Sequence, residues 1–188
     1  MRIMVTGGTG FIGSHTVRAL IEKGHDVKLL VRNEDKAKSL FSPGSRSMPV
    51  FVRGDMIDLA SVRECMDGCD AVFHAAAVVS LDPSRAEIMI HDNRRGAEIV
   101  LKEACRRNLK SIVHVSSITS LYGPGTGPLT PDMPIANSGS AYARSKIEAE
   151  KIARYLQSEG FPVRITYPSA VLGPDDPGLS EANGGLKA

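Results

Sequence analysis

The feature that most limits what this chain can fold into is a glycine run set between two different hydrophobic patterns. Arg2 to Thr6 is a short apolar stretch of strand type, and Ile12, Val17, Leu20 and Ile21 follow at the spacing of one helix face. Between them stands Thr6-Gly7-Gly8-Thr9-Gly10-Phe11-Ile12-Gly13, which satisfies Gly-x-x-Gly-x-x-Gly and, from Gly8, Gly-x-Gly-x-x-Gly. Without a Cβ, such residues permit a tight turn, close approach of backbone N–H groups to a pyrophosphate, and close packing of helix on strand. The helix N-terminus adds partial positive charge. A lone glycine motif says little, but placed between a strand and a helix it predicts dinucleotide binding.

The same strand-then-helix unit repeats. Val27 to Val31, Val50 to Arg53, Ala71 to Ala75, Ser111 to Val115 and Val163 to Tyr167 read as further strands, the last stopped by Pro168. Asp35 to Phe41, Leu59 to Met66, Arg85 to Arg107 and Tyr142 to Ser158 read as helices. Strands that lack polar alternation need both faces covered, so the expected fold is a Rossmann-type doubly wound α/β domain, a parallel sheet with helices on both faces. Ligands of such sheets lie beyond the carboxyl ends of the strands. The Gly-, Pro- and Ser-rich stretch from Ser117 to Ala141 is a candidate substrate loop.

Composition narrows the function classes. Twenty-three basic and 21 acidic residues leave a net charge of +2, too little for a polyanion-binding surface, so nucleic acid is not expected as a partner. The longest apolar run, Ala71 to Val79, is broken by His74 and is far short of the roughly 20 residues that cross a bilayer, so no membrane partner is expected. The first residues pass into glycines too early for a secretory signal. Three cysteines without a Cys-x-x-Cys pair fit a reducing compartment, and a cytoplasmic location is expected. Cys65 and Cys69 share a helix face but lack a histidine doublet, so they read as packed free thiols and no metal site is expected. Arg106, Arg107 and Lys110 read as cations complementing a helix C-terminus.

Three further groups carry chemistry. The end of the second strand, where a ribose hydroxyl or its phosphate is read, carries Arg32, whose guanidinium suits a phosphate and favours NADP over NAD, although Glu34 and Asp35 stand close by. Asp55, after the third strand, is placed to accept from an adenine amino group, while Asp58 suits a helix cap; capping by both acids is the alternative. Tyr142 and Lys146 stand at i and i+4 on one helix face. A free phenol loses its proton near pH 10, and a neighbouring ammonium favours the phenolate, so the pair suits proton transfer. Ser117, at the carboxyl edge of the fifth strand, is placed to hold a carbonyl oxygen.

Taken together, T-G-G-T-G-F-I-G, G-D-M-I-D, H-A-A-A, S-S and Y-A-R-S-K resemble the extended short-chain dehydrogenase/reductase family, the NAD(P)-dependent epimerase/dehydratase group, over nearly the whole chain. Arg32 and V-S-S resemble its dihydroflavonol 4-reductase and cinnamoyl-CoA reductase branch. The resemblance implies a catalytic triad of Ser117, Tyr142 and Lys146, with Lys146 also holding the nicotinamide ribose. It implies cofactor contacts from Gly7, Gly10, Phe11, Ile12 and Gly13 in the pyrophosphate loop, and from Asp55 and Met56 at the adenine. Ala75 and Ala76 would line the ribose, Pro168 would border the nicotinamide, and Tyr142 would face it. Asn93 matches a supporting asparagine, and His74 reads as structural.

The expected function is NADP-dependent hydride transfer between nicotinamide and a ketone, aldehyde or secondary alcohol. The alternatives are a sugar-nucleotide epimerase and a non-catalytic NADP sensor or scaffold. Dehydration is disfavoured, because Ser117-Ile118-Thr119 stands where dehydratases of the family carry Thr-Asp-Glu. Family members are longer, and their later part supplies most of the substrate pocket. Residues 1–178 are therefore expected to form the NADP-binding domain and 179–188 to begin a truncated substrate segment. The resemblance also implies a homodimer through a four-helix interface formed by Arg85 to Arg107 and Tyr142 to Ser158.

Overall fold

A computed structural model describes residues 1–41, 48–80, 82–123, 127–137 and 140–178. Six strands, β1 (Arg2–Thr6), β2 (Asp26–Val31), β3 (Val50–Arg53), β4 (Ala71–His74), β5 (Ser111–Val115) and β6 (Val163–Thr166), form one sheet. Its order is β3-β2-β1-β4-β5-β6, and every pairing is parallel. The helices are α1 (Phe11–Glu22), α2 (Glu34–Leu40), α3 (Leu59–Met66), α4 (Ala86–Arg106) and α5 (Ala141–Ser158). The predicted elements are all present, with ends moved by a residue or so. Before α4 a short 3-10 turn, Pro83–Arg85, begins at Asp82, whose carboxylate accepts from Ser84 N at 2.9 Å.

The sheet separates two cores because side chains alternate along each strand. One face carries Met4, Val72 and Ile112, packed with Val62, Leu101, Val100 and Ala153 from α3, α4 and α5. The other carries Val5, Leu29 and Val31, packed with Val17 of α1 and Ala37 of α2. Several of these side chains are fully buried, and truncating one to alanine should cost about 2–5 kcal/mol. Chain order reverses between β1 and β4, which puts the topological switch point directly beyond Thr6 and His74.

Arg106 and Arg107 stand at the C-terminal end of α4, where the sequence places them, and they have a buried partner as well. Both grip Glu103, which is buried, and Arg107 also reaches Asp67 at 3.3 Å. The Arg106 guanidinium foremost holds the Glu103 carboxyl down at about 2. These cations neutralise a buried acid between α3 and α4, a stronger demand than the helix dipole makes. Among the described residues the cysteines are free, with Cys65 buried and Cys69 half-buried. Burial pushes the Cys65 thiol up to about 12. No group of metal-ligating side chains occurs and no helix is long and apolar enough to cross a membrane among the described residues. The segment 179–188 lies outside them.

Candidate active site

At Gly7 and Gly13 the glycine loop leaves no room for a side chain. Gly7 has φ +73°, and a Cβ there would lie 2.5 Å from Ala76 N. A Cβ on Gly13 would lie 2.1 Å from Gly7 O. Gly10 N donates to Gly7 O at 3.0 Å and then serves as the N-cap of α1 without a side-chain bond. The first N–H groups of α1 are thus left for an incoming anion. Thr6 ties this loop to β4: its Oγ1 accepts from Ala76 N at 3.2 Å and pairs with His74 Nδ1 at 2.7 Å.

Two cavities meet at the loop, both lined by Gly7, Gly10, Phe11, Ala75 and Ala77. The first, of about 390 Å³, is bordered by Arg32, Lys36, Asp55, Met56 and Ala76. Asp55 Oδ1 also accepts from Ile57 N at 3.2 Å, so it turns the chain while facing the cavity. Asp58 faces elsewhere and caps α3 through Ala60 N and Ser61 N, each at 3.1 Å. Met56 is held by close packing: a Cβ on Gly96 would lie 2.6 Å from its Sδ. Lys36 escaped the sequence reading. It stands four residues after Arg32 in the first turn of α2, which Asn33 caps by accepting from Lys36 N. Glu34 is engaged by Lys38 at 2.7 Å, and neither Glu34 nor Asp35 borders the cavity.

The second cavity, of about 370 Å³, brings together Ile12, Gly13, Ser117, Tyr142, Lys146 and Pro168. Lys146 is only 6% exposed. Its Nζ donates to Val115 O at 3.2 Å, and burial lowers its ammonium to about 8. It therefore carries its charge at neutral pH and loses it just above. Ser117 Oγ accepts from Thr119 N at 3.2 Å and from Thr119 Oγ1 at 3.0 Å. Those bonds fix the oxygen and leave the hydroxyl hydrogen to be donated. Every residue predicted to bind cofactor or act in catalysis borders one of the two cavities.

Buried polar groups support this wall. Asn93 on α4 donates to Val78 O at 2.9 Å and accepts from Val78 N at 2.6 Å, and its amide reaches Ser145 Oγ at 3.1 Å. Ser145 in turn donates to Tyr142 O. The β4 exit and the tyrosine turn of α5 are thereby joined through one side chain. Paired in register, His74 and His114 stack with centroids 5.4 Å apart. Burial, then the Lys146 charge, lowers His74 to about 3. Burial foremost also pushes His114 well below its ordinary value, and neither of its ring nitrogens finds a partner among the described residues.

The chain leaving β6 serves both cavities. Ser169, Ala170 and Val171 border the second, while Asp176 and Gly178 border the first. Between them, His15 Nε2 donates to Pro174 O at 3.1 Å, and Phe11 meets the His15 ring edge-on.

This sequence and fold have known counterparts. Residues 3–184 match the NAD dependent epimerase/dehydratase family, and the chain belongs to it. It is 33% identical over 186 residues to cinnamoyl-CoA reductase 1 of Petunia hybrida, covering 92% of this chain and 55% of that one. It is 36% identical over 163 residues to UDP-glucose 4-epimerase of Neisseria meningitidis, covering 82% and 48%. Among solved structures, the Thermus thermophilus UDP-glucose 4-epimerase in complex with NAD superposes with a TM-score of 0.79 at 28% identity, covering 97% and 60%. The chain spans about half the length of the curated relatives it matches.

Proposed function

We propose that this chain is the cofactor-binding and proton-transferring part of an NADP-dependent oxidoreductase acting on a ketone, aldehyde or secondary alcohol. One observation carries the reading: Ser117, Tyr142 and Lys146 border one cavity that shares its glycine-loop wall with a groove edged by Arg32 and Lys36. The absence of room for a Cβ at Gly7 and Gly13 fits a loop pressed against a pyrophosphate. Two cations at the end of β2 fit a ribose phosphate, which favours NADP over NAD.

Bound across both cavities, the nicotinamide cofactor would supply or accept a hydride. The chain's own groups do the rest. In the reducing direction the Ser117 hydroxyl donates a hydrogen bond to the carbonyl oxygen, and the Tyr142 phenol gives that oxygen its proton. The Lys146 ammonium offsets the charge left on the phenolate. Asn93 and Ser145 hold the turn that carries Tyr142. In the oxidising direction the proton returns to Tyr142.

The test is a titration with NADPH and NADH, repeated on Arg32→Asp, together with NADPH consumption across a panel of aldehydes and ketones. NADPH should bind more tightly, and the variant should lose that preference; an unchanged preference removes Arg32 from its role. A second reading, sugar-nucleotide epimerisation, draws on the Neisseria meningitidis relative. It requires a cofactor retained through purification, and a rapidly exchanging cofactor excludes it. Binding without oxidation on any carbonyl would mark a sensor.

A further inference from the structure

Tyr142 and Lys146 continue one turn further along α5 to Glu150, at the same four-residue spacing and fully buried. A carboxylate in such a place is costly unless donors surround it. Here they come from three directions. Ser116 Oγ donates to Oε2 at 2.6 Å, and Ser120 Oγ contacts the same oxygen. Arg154 Nε donates to Oε1 at 2.7 Å and Tyr167 OH at 2.8 Å. Arg154 extends the network to Met133 O, in the long loop, at 2.7 Å.

The partners matter more than their number. Ser116 directly precedes Ser117, and Ser120 closes the 3-10 turn that Ser117 caps, its N donating to Ser117 O at 3.0 Å. Ser120 Oγ also lies 2.7 Å from that carbonyl, so its single hydrogen serves either oxygen. Tyr167 directly precedes Pro168, another wall of the second cavity. Successive turns of α5 thus hold successive residues at the β5 exit: Lys146 takes Val115 O, and Glu150 takes Ser116. One helix face fixes the tyrosine, the amine and the serine relative to one another.

We infer that Glu150 is a positioning residue that sets the Ser117 hydroxyl, and with it the β6 exit, against Tyr142 and Lys146. The inference rests on the redox reading for its catalytic consequence, but the placement of Ser117 can be measured separately. The two Glu150 oxygens accept from Ser116, Arg154 and Tyr167 and share the Ser120 hydrogen with Ser117 O. A glutamine of the same shape presents an NH2 group in place of one oxygen, and because Arg154 can only donate, the remaining oxygen faces Arg154 and the NH2 faces the Ser116 and Ser120 hydroxyls. The serine bonds are thereby reversed: the Ser116 and Ser120 oxygens must accept where their hydrogens had donated, and the pair has to reorient.

The whole chain carrying Glu150→Gln is compared with wild type by three readouts. Amide hydrogen exchange at Ser120, Leu121 and Tyr122 should quicken by about tenfold or more, while Val72 and Ile112 in the sheet stay protected. NADPH affinity should change by less than about twofold, because Glu150 borders neither cavity and the glycine loop, Arg32 and Lys36 are untouched by the substitution. With the carbonyl that wild type reduces fastest, kcat should fall by about 10–100-fold with little change in KM. In a Ser117→Ala background the same substitution should slow turnover by less than about twofold, since the group it positions is gone.

Unchanged exchange, or an equal loss of turnover with and without Ser117, overturns the inference. If wild type reduces no carbonyl, the redox reading fails and the exchange data alone decide the placement. If Glu150→Gln does not fold, Ser116→Ala and Tyr167→Phe each remove one donor and replace it. Ser116→Ala should show the same dependence on Ser117 with a loss of about threefold to tenfold, and Tyr167→Phe a smaller one. Full additivity with Ser117→Ala in both would overturn the inference equally.

Discussion

The two cavities share a wall but are made of different materials. The first is backbone at its centre, glycines, three alanines and helix N–H groups, with its charged side chains, Arg32, Lys36, Asp55, Asp92 and Asp176, around that centre. Buried side chains that titrate or hydrogen-bond make the second, with Lys146 and Ser117 on its wall and Glu150, Asn93, His74 and His114 behind it. A backbone site is sensitive to an added carbon and nearly indifferent to pH. A side-chain site tolerates small changes of shape but depends on protonation state. One molecule therefore shows two ways to fail.

The sharpest break should come from the second cavity. Lys146→Met should lower turnover by about a thousandfold, read as kcat for NADPH oxidation. It should at the same time raise stability. The folded amine sits at about 8 against its ordinary 10.5, so the charged form is penalised at every pH below about 8, and the penalty fades as pH rises toward 10.5. Removing the amine should add at most about 3 kcal/mol at pH 7, measured by urea unfolding. If stability falls instead, burial is not the cause of the shift. Wild-type reduction should also weaken as pH rises through about 8, because Lys146 then loses its charge.

Next, Gly13→Ala should weaken NADPH binding by about a hundredfold, since its Cβ would meet Gly7 O. Isothermal titration reads this, and normal affinity would mean that the loop can shift without loss. A smaller effect is expected at the rim, where Arg32→Asp should reduce the NADPH-to-NADH affinity ratio by about tenfold.

The smallest effect sharpens the pH half of the contrast. His74 and His114 are held neutral, so below about 6.5 the unfolded chain takes up protons that the fold refuses, and stability drains away as pH falls. His114→Leu should remove one such proton and the unpartnered ring nitrogens. Unfolding at pH 5 should then be harder by about 1 kcal/mol relative to wild type, with less change at pH 7.5. An unaltered acid slope would show that His114 already charges in the fold.

The same contrast explains what was legible in the sequence. Gly7, Gly10 and Gly13 announce themselves because the turn they make is local and its spacing is rigid. Tyr142 and Lys146 are likewise one helical turn apart. Glu150 has a spacing just as regular, yet its meaning lies in Ser116, Ser120 and Tyr167, far away in sequence and brought in only by the β5-β6 pairing. The His74 and His114 stack depends on strand register across an α-helical crossover, which composition and periodicity do not encode. Arg106 and Arg107 were legible as cations at a helix end, but their acid was not, for a similar reason: Glu103 is buried, and burial is a property of packing rather than of the local string.

The stretch after β6 touches one cavity with Ser169 to Val171 and the other with Asp176 and Gly178, and His15 anchors it between the two. A single strip of chain is thus a common border for both cavities. A ligand that shifts that border from one cavity changes the wall of the other, and any such influence runs equally in each direction. Under the proposed function, filling the Arg32 side of the groove should consequently alter how tightly the Ser117 side grips its ligand.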